Sequence, residues 1–384
     1  MIPYGKQTIS QADIDAVATV LRSDFLTQGP AVPRFEKAVA ELCGASSAAA
    51  VNSATSALHI ACLALGVGPG QKVWTTPITF VASANCARYC GAEVDFVDID
   101  PRTWNLSPQA LEEKLRIASR ENRLPSVLIP VHFTGQPCDL REIHALAQRY
   151  GVRVIEDASH AIGARYLDTM IGDCRYSDVT VFSFHPVKII TTAEGGMATA
   201  RDPGVAARIA RLRSHGITRD PSEMSRAPDG PWYYEQIELG YNYRMTDVQA
   251  ALGASQLPQI GAWLERRHAI ADRYDAALRD LPLMLPTRVA DRYSALHLYV
   301  IRVTAQSKID RATLYSRLRE AGIAPNVHYI PVHLQPDYAR FGFKRGDFPA
   351  SEAYYDSALT LPMYPALTDR EQDQVIDALR RALS

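Results

Sequence analysis

Apolar residues repeat at helical spacing near the start of the chain. Ser10 and Asp13 stand three positions apart, as in a capping box, and apolar positions follow between Ile14 and Leu21. The same spacing over residues 35–42 predicts a second helix. The chain therefore opens with two helices.

Short β-rich runs then alternate with helical patterns. The predicted strands cover residues 73–76, 93–99, 127–131 and 152–155. Between them, Ser107 and Pro108 begin one helix, and Gly151 ends another that starts near Leu140. Strands that alternate with helices imply βαβ units, so the pattern predicts an α/β fold with a mostly parallel sheet.

The rhythm changes after about residue 260. A long helix is expected over residues 264–278, a strand over 296–303 and a last helix after the capping box of Thr368 and Glu371. This order predicts a large domain over residues 1–260 and a smaller α+β domain over 261–384. Residues 222–231 are rich in Pro, Gly and Ser and are expected to form a loop.

Composition narrows the class of protein. The net charge is −1, so no excess charge favours nucleic acid or a membrane surface as a partner. No run approaches the 18 or so apolar residues of a spanning helix, and the start lacks a signal-peptide pattern, so a cytoplasmic protein is expected. Cys86 and Cys90 are four positions apart, but no partners follow at zinc spacing, and no metal is predicted.

Lys188 and Asp157 are the strongest candidates for chemistry. Lys188 follows an apolar run and lies in a turn with Pro186, where poor solvation lowers the pKa of an amine and suits it to Schiff-base formation. Asp157 ends an earlier strand, where a carboxylate can hold a protonated pyridine nitrogen, or can simply be a turn residue. His160 either orients Asp157 or supports the ring, or it is a core histidine.

Other candidates each keep a plainer interpretation. Residues 52–57 start an apolar helix and form either a phosphate site or an ordinary N-cap. Phe80 either stacks on a ring or packs in the core. Residues 26–29 and 240–245 contact a ligand or are turns and loops, and residues 325–333, with two histidines, are interpreted as a polar substrate wall rather than a metal site.

Taken together these motifs resemble the nucleotide-sugar aminotransferase family of fold-type I pyridoxal phosphate (PLP) enzymes. The resemblance covers essentially the whole chain and implies a large domain with a mostly parallel seven-stranded sheet, a small C-terminal domain and a homodimer with shared active sites. The motifs that carry it are residues 52–58, 79–80, 156–160, 183–188, 194–196, 242–245 and 361–362.

The resemblance also implies roles for individual residues. Lys188 would be the catalytic Schiff-base lysine and general acid/base, Asp157 the partner of the pyridine nitrogen, and Asn242 the residue that reaches across the dimer interface. A related branch of dehydratases carries histidine at the position of Lys188. The lysine in this chain therefore argues against that branch. The implied cofactor contacts are Thr55, Ser56, Phe80, Asp157, His160, Ser183, Lys188 and Asn242.

Narrower motifs at residues 4–9, 26–29 and 185–194 resemble the branch that aminates the C4 ketone of a UDP-4-keto-6-deoxy-N-acetylhexosamine in pseudaminic acid biosynthesis, with L-glutamate as donor. The chain departs from that branch at Ile189 and Ile190 and in the length of residues 222–235. The implied substrate contacts are Lys6, Leu26, Thr27, Gln28, Gly29, Asn326, Val327, His328 and Tyr329.

Three alternatives stay open at this point. The substrate is another nucleotide ketosugar, such as a dTDP- or GDP-4-keto-6-deoxyhexose or a C3 ketone; or the chain is a PLP-binding regulator without turnover; or it is a fold-type I lyase. A lyase predicts a carboxylate-binding arginine near the C-terminus, where Arg380 and Arg381 are expected on a solvated helix face.

Overall fold

The computed structural model describes residues 1–384, and its secondary structure follows the predicted alternation. The helices are α1 (Gln11–Leu21), α2 (Ala31–Cys43), α3 (Ala54–Ala64), α4 (Ala82–Tyr89), α5 (Pro108–Arg120), α6 (Leu140–Tyr150), α7 (Pro203–Leu212), α8 (Asp247–Gln256), α9 (Ile260–Leu278), α10 (Arg311–Glu320), α11 (Pro336–Ala339), α12 (Pro349–Ser357) and α13 (Asp369–Leu383).

The strands are β1 (Ile2–Pro3), β2 (Ala48–Val51), β3 (Lys72–Thr75), β4 (Glu93–Phe96), β5 (Val127–Ile129), β6 (Arg153–Asp157), β7 (Arg165–Tyr166), β8 (Thr169–Met170), β9 (Val179–Ser183), β10 (Gly196–Ala200), β11 (Ile217–Thr218), β12 (Glu235–Gln236), β13 (Leu283–Met284), β14 (Arg292–Tyr293), β15 (Tyr299–Val303), β16 (Ile323–Ala324) and β17 (Ala358–Leu361).

Seven strands form the central sheet, in the order β2-β10-β9-β6-β5-β3-β4. Only β10 runs antiparallel to its neighbours, and the remaining pairs are parallel. The fold class predicted from the sequence, a mostly parallel seven-stranded sheet of a fold-type I enzyme, is confirmed. Because parallel strands end at the same edge, the segments that follow β3, β5, β6 and β9 meet at one place.

Both faces of the sheet are covered, so its strands are apolar throughout. Val154 and Phe182 face a core formed with α2, α5, α6 and α8. Ile155 and Val181 face the opposite core, which α3, α4 and α7 complete. The period of two along β6 therefore places Asp157 on the α3/α4 side and Glu156 on the other side, where its carboxylate pairs with His132.

A third core lies in the C-terminal part, around the antiparallel sheet β13-β15-β17 and helices α9, α10 and α13. Helix α9 spans two cores: Ile260 and Leu264 pack with the large sheet, while Ile270 to Leu278 pack in the C-terminal core. The chain start also returns there, because β1 pairs with β16. The domain division at 260/261 stays a prediction. The pairing of β1 with β16 connects the chain start to the C-terminal part, which the predicted division did not include.

The first helix is present, but its apolar stripe is exposed. The capping boxes at Ser10 and Thr368 are both present. However, Ile14 and Leu21 are 53% and 58% exposed in the single chain, whereas Asp13 and Val20 are buried. The predicted helix is present, but α1 turns its Asp13 face toward Gln256 at the end of α8, so the Ile14–Leu21 stripe does not face the core.

No helix is long and apolar enough to cross a membrane. All six cysteines are buried and unpaired, and no cluster of three His, Cys, Asp or Glu side chains is placed to hold a metal ion.

Asp98 joins the two halves of the chain, and its removal should destabilise the fold. Its carboxylate accepts hydrogen bonds from the N–H groups of Ala350 (2.9 Å) and Ser351 (3.0 Å), at the start of α12. Asp98→Ala should therefore lower the free energy of unfolding in urea by about 1–3 kcal/mol, as expected for losing a helix cap. Asp280→Ala, which breaks an exposed pair with Arg380, is the control and should leave the midpoint nearly unchanged.

Candidate active site

A cavity of about 560 Å³ opens at the carboxyl edge of the sheet. Residues that follow β3, β5, β6 and β9 line one side, the start of α3 closes one end, and residues 326–329 of the C-terminal part form the opposite wall. Of the predicted contacts, the cavity is lined by Thr55, Phe80, Asp157, His160, Ser183, Lys188, Asn326, Val327, His328 and Tyr329.

Lys188 is presented by a tight turn after β9. The backbone N–H of Lys188 donates to His185 O, and the N–H of Thr192 returns to Phe184 O (2.9 Å each). Ile189 and Ile190 are buried in the main core, so they anchor the turn. This packing is the structural consequence of the apolar pair at which the chain departs from the resembled branch.

The Lys188 amine lies in a poorly solvated place. Its side chain keeps part of its surface open to the cavity, while protein surrounds the amine itself. Burial lowers the pKa of Lys188 to about 8, and the negative charge of Asp157 opposes that shift. An amine with this pKa is about one-tenth uncharged at pH 7, far more than an ordinary lysine, and the uncharged state is the one that acts as a nucleophile or a base.

Asp157 is fixed by two donors. Its Oδ2 accepts a hydrogen bond from Ser83 Oγ (2.6 Å), and its Oδ1 accepts one from the N–H of Ser159 (3.1 Å). Ser83 in turn bonds Thr79 (2.7 Å), so a short hydroxyl chain links α4 to the end of β6. No sequence pattern pointed to Ser83, because its partner is 74 residues away along the chain.

The opposite end of the cavity is suited to an anion. Ser53 caps α3 and Thr55 lies in its first turn, so the N–H groups at this helix start face the cavity with two hydroxyls. Gly196 makes the arrangement possible: a Cβ there would stand 2.5 Å from Ala54 N, so any other residue would push β10 away. Ser183, at the end of β9, adds a third hydroxyl.

Ser56, a predicted phosphate contact, has its side chain turned elsewhere. Its hydroxyl donates to Asn52 Oδ1 (2.6 Å), and its N–H donates to Ser53 Oγ (3.1 Å). Ser56 therefore stabilises the helix start through these two bonds without lining the cavity, whereas Ser53 lines it. Residues 52–57 thus contain an N-cap that borders the cavity, and their role as a phosphate site stays a prediction.

Aromatic residues form the wall opposite the helix. His160 Nε2 lies 3.2 Å from the Tyr329 hydroxyl, and the Phe80 and Tyr329 ring centroids are 6.2 Å apart. Phe80 is 58% exposed, so it faces the opening rather than the core. Burial lowers the pKa of His160 well below its usual value and that of His328 to about 3, with the Lys188 charge adding to both shifts. Both imidazoles are therefore uncharged.

Three groups of predicted contacts do not line this cavity in a single chain. Asn242 is exposed and bridges Ser214 at the far edge of the sheet. Residues 26–29 lie beside Asp247, and Gln28 and Gly29 border a separate cavity of about 240 Å³. Lys6 is exposed and borders a small pocket behind Lys188. Their predicted roles stay predictions.

The cavity also contains residues that were not predicted as contacts. Tyr4, His185 and Glu194 belonged to quoted motifs, whereas Ser83 and His297 reach the site only through the fold. The additional lining residues are Tyr4, Ser53, Ala54, Leu58, Thr79, Ala82, Ser83, Val131, Ser159, His185, Val187, Glu194 and His297.

The residues present fit pyridoxal phosphate. A nucleophilic amine, a buried carboxylate and a hydroxyl-lined helix start are the groups that its aldehyde, its pyridine nitrogen and its phosphate require. The buried His160 Nδ1 has no partner within the chain, so it is left for a ligand. Arg380 pairs with Asp280 on the surface, so it is not the carboxylate-binding arginine that a lyase predicts. The fold and the site define a fold-type I PLP enzyme.

Comparison with known proteins gives the family. The chain matches the DegT/DnrJ/EryC1/StrS aminotransferase family over residues 7–380. It is 40% identical over 384 residues to the spore coat polysaccharide biosynthesis protein SpsC of Bacillus subtilis, which covers 99% of this chain and 96% of that protein. The chain therefore belongs to the DegT/DnrJ/EryC1/StrS family, and it is a PLP-dependent sugar aminotransferase.

Solved structures agree over the full length. The PLP-form of Spr1654 from Streptococcus pneumoniae has a TM-score of 0.89 at 30% identity and covers 100% of both chains. Helicobacter pylori PseC, an aminotransferase involved in the biosynthesis of pseudoaminic acid, has a TM-score of 0.91 at 27% identity and covers 100% of this chain and 99% of that chain.

The charge state of Lys188 predicts how its amine reacts in the cofactor-free protein. Labelling by an amine-specific reagent, followed by peptide mass spectrometry, should rise about tenfold per pH unit and level off near pH 8. Asp157→Asn should move that midpoint to lower pH, because the carboxylate favours the charged amine.

Glu194→Gln is the matched control for this measurement. Glu194 borders the same cavity but does not contribute to the shifted pKa of Lys188, so the midpoint should stay near pH 8. A midpoint that did not move in Asp157→Asn would contradict the assigned interaction between Lys188 and Asp157.

Proposed function

We propose that the protein transfers the amino group of L-glutamate to the C4 ketone of a UDP-4-keto-6-deoxy-N-acetylhexosamine, as in a pseudaminic acid type pathway. The single observation that carries the aminotransfer chemistry is the Lys188 amine, with a pKa of about 8, in the same cavity as the Asp157 carboxylate. The choice of sugar rests on the narrower sequence motifs and on the likeness to PseC.

In this proposal the two ends of the cavity hold the cofactor. Asp157 pairs with the pyridine nitrogen, the start of α3 with Thr55, Ser53 and Ser183 receives the phosphate, and Phe80 covers a ring face. When bound, PLP supplies an electron sink that delocalises negative charge from the substrate carbon. The hydrogen bonds from Ser83 and Ser159 fix the orientation of the Asp157 carboxylate.

Lys188 is both the covalent anchor and the proton carrier. Its uncharged Nζ takes the proton from the α-carbon of glutamate, and the same amine later delivers a proton to C4 of the sugar. The turn over residues 185–192 holds the amine in place, while the buried Ile189 and Ile190 prevent it from swinging out. Removing Asp157 should cost on the order of a hundredfold in proton-transfer rate.

The sugar is proposed to lie against residues 326–329. Asn326, His328 and Tyr329 offer amide, imidazole and hydroxyl groups that match the hydroxyl and N-acetyl groups of an aminosugar precursor. His328 is held by Thr360 (2.8 Å) and is uncharged, so it discriminates by hydrogen bonding rather than by charge. The diphosphate would then extend out of the cavity. Lys6, which borders a separate small pocket in the single chain, is proposed to contact it.

A panel of substrates tests the proposed reaction. The UDP-4-keto-6-deoxy-N-acetylhexosamine should give the highest kcat/KM, measured by release of 2-oxoglutarate from glutamate and by the mass of the amino sugar. Lys188→Ala should abolish both, and borohydride after incubation with PLP should label position 188 only in the unmodified chain. A higher kcat/KM with dTDP- or GDP-4-keto-6-deoxyhexoses, or with a C3 ketone, would select the alternative substrate instead.

A homodimer with shared sites is part of the same proposal. Ile14, Leu21, Phe25 and Leu26 form an exposed apolar group near the start of the chain, and Leu239 is 76% exposed shortly before Asn242. Large exposed apolar patches are typical of protein interfaces. Covering them with a second copy would bring Asn242 and residues 26–29 of one protomer toward the cavity of its partner.

Complementation between two inactive variants tests the shared site. Lys188→Ala and Asn242→Ala homodimers should each have strongly reduced activity, and mixing them under conditions that exchange protomers should restore part of the activity of the unmodified dimer. A mixed dimer keeps one cavity with both residues intact, which explains the recovery. The control is exchange of Lys188→Ala with itself. Exchange without recovery, verified by a tagged protomer, would show that each site is built from one chain.

A further inference from the structure

His297 is a buried imidazole to which the reaction described above gives no role. It lines the cavity, is 4% exposed, and its ring centroid lies 4.5 Å from that of His160. Its Nδ1 is buried without a hydrogen-bond partner, and so is Nδ1 of His160. Buried polar atoms are nearly always paired in folded proteins, so two adjacent unpaired imidazole nitrogens beside a ligand cavity need an explanation.

A buried guanidinium holds the backbone at His297. Arg267 is 1% exposed, and its Nη1 donates to the carbonyl oxygens of Leu296 (3.2 Å), His297 (3.2 Å) and Met363 (3.1 Å). No carboxylate pairs with this guanidinium, and its Nε has no partner. A buried charge without a carboxylate partner is costly, and these three bonds, which partly compensate it, also fix the backbone at His297.

Backbone geometry around His297 is equally constrained. Leu296, directly before it, has a φ of +45°, which is rare for a residue other than glycine. Gly135 has a φ of +99°, and a Cβ on it would stand 2.8 Å from His160 O and 3.0 Å from His297 N. The segments that carry the two histidines therefore meet across this glycine. Strain of this kind concentrates where a site must hold a side chain in one position.

We propose that His297 is a cofactor-contacting residue, whose uncharged imidazole forms, together with His160, a pair of hydrogen-bonding groups that hold the pyridine ring of PLP. Burial lowers the pKa of His297 well below its usual value, and the charges of Lys188 and Arg267 add to that effect. A neutral imidazole keeps one donor and one acceptor, which suits an oxygen substituent on an aromatic ring. The inference rests on the cofactor site proposed above and does not depend on which sugar is the substrate.

The test separates a ligand contact from a structural role. His297→Phe keeps an aromatic ring and removes both nitrogens. In the cofactor-free protein it should leave the urea unfolding midpoint unchanged or raise it, because the lost Nδ1 had no partner. Titration with PLP should show about tenfold weaker binding, the size expected for one hydrogen bond, and a shifted visible absorbance band.

Two further variants complete the experiment. His297→Gln keeps a donor and an acceptor and should bind PLP more tightly than His297→Phe. His144→Phe is the matched control, since His144 bonds Tyr176 O away from the cavity, and its PLP binding should equal that of the unmodified chain. The proposal is overturned if His297→Phe binds PLP with unchanged affinity and spectrum, or if it unfolds the cofactor-free protein. An unmodified chain that binds PLP but aminates no UDP ketosugar would refute the proposed substrate and leave this result standing.

Discussion

The structure depends on keeping one amine poorly solvated while a carboxylate remains in the same cavity. Burial of Lys188 favours its uncharged form, and Asp157 limits the shift, so the resulting pKa of about 8 is a balance of two opposed effects. Neighbouring parallel strands provide that balance, because β6 and β9 are adjacent and end at the same edge. Asp157 and the turn that carries Lys188 are thus brought together by strand pairing.

Close backbone approach supports this arrangement at two places. At Gly196 the antiparallel strand β10 packs directly against the start of α3, because a glycine leaves no side chain between the two backbones. At Gly135 the chain passes between the backbones of His160 and His297. Both contacts are between main-chain atoms, so they place the surrounding side chains more rigidly than side-chain packing alone could.

The cavity is chemically divided. Its lining combines hydroxyls and N–H groups at the start of α3, the Lys188 and Asp157 pair, and uncharged histidines beside Tyr329. A phosphate-bearing cofactor and a polyhydroxylated substrate need these different surroundings at once. The buried Arg267 guanidinium, which has no counter-ion, fixes the backbone beside the cavity through the carbonyl oxygens of Leu296 and His297.

The sequence by itself determined the elements that depend on local patterns. Strand and helix periodicity predicted the sheet, capping boxes located the helix starts at Ser10 and Thr368, and short motifs located Lys188, Asp157 and residues 326–329, because each of these signals lies within a few consecutive positions. The predicted roles of Lys6, Asn242 and residues 26–29 come from the same motifs and are untested in a single chain.

Only the tertiary structure decided what depends on distant parts of the chain. It brought Ser83 to Asp157 and His297 to His160, turned the Ser56 hydroxyl away from the cavity, and exposed Ile14 and Leu21. Periodicity indicates that a residue lies on an apolar face, but not which surface covers that face. Contacts between residues tens of positions apart leave no local pattern, because they arise from how the strands pair and where the chain crosses itself.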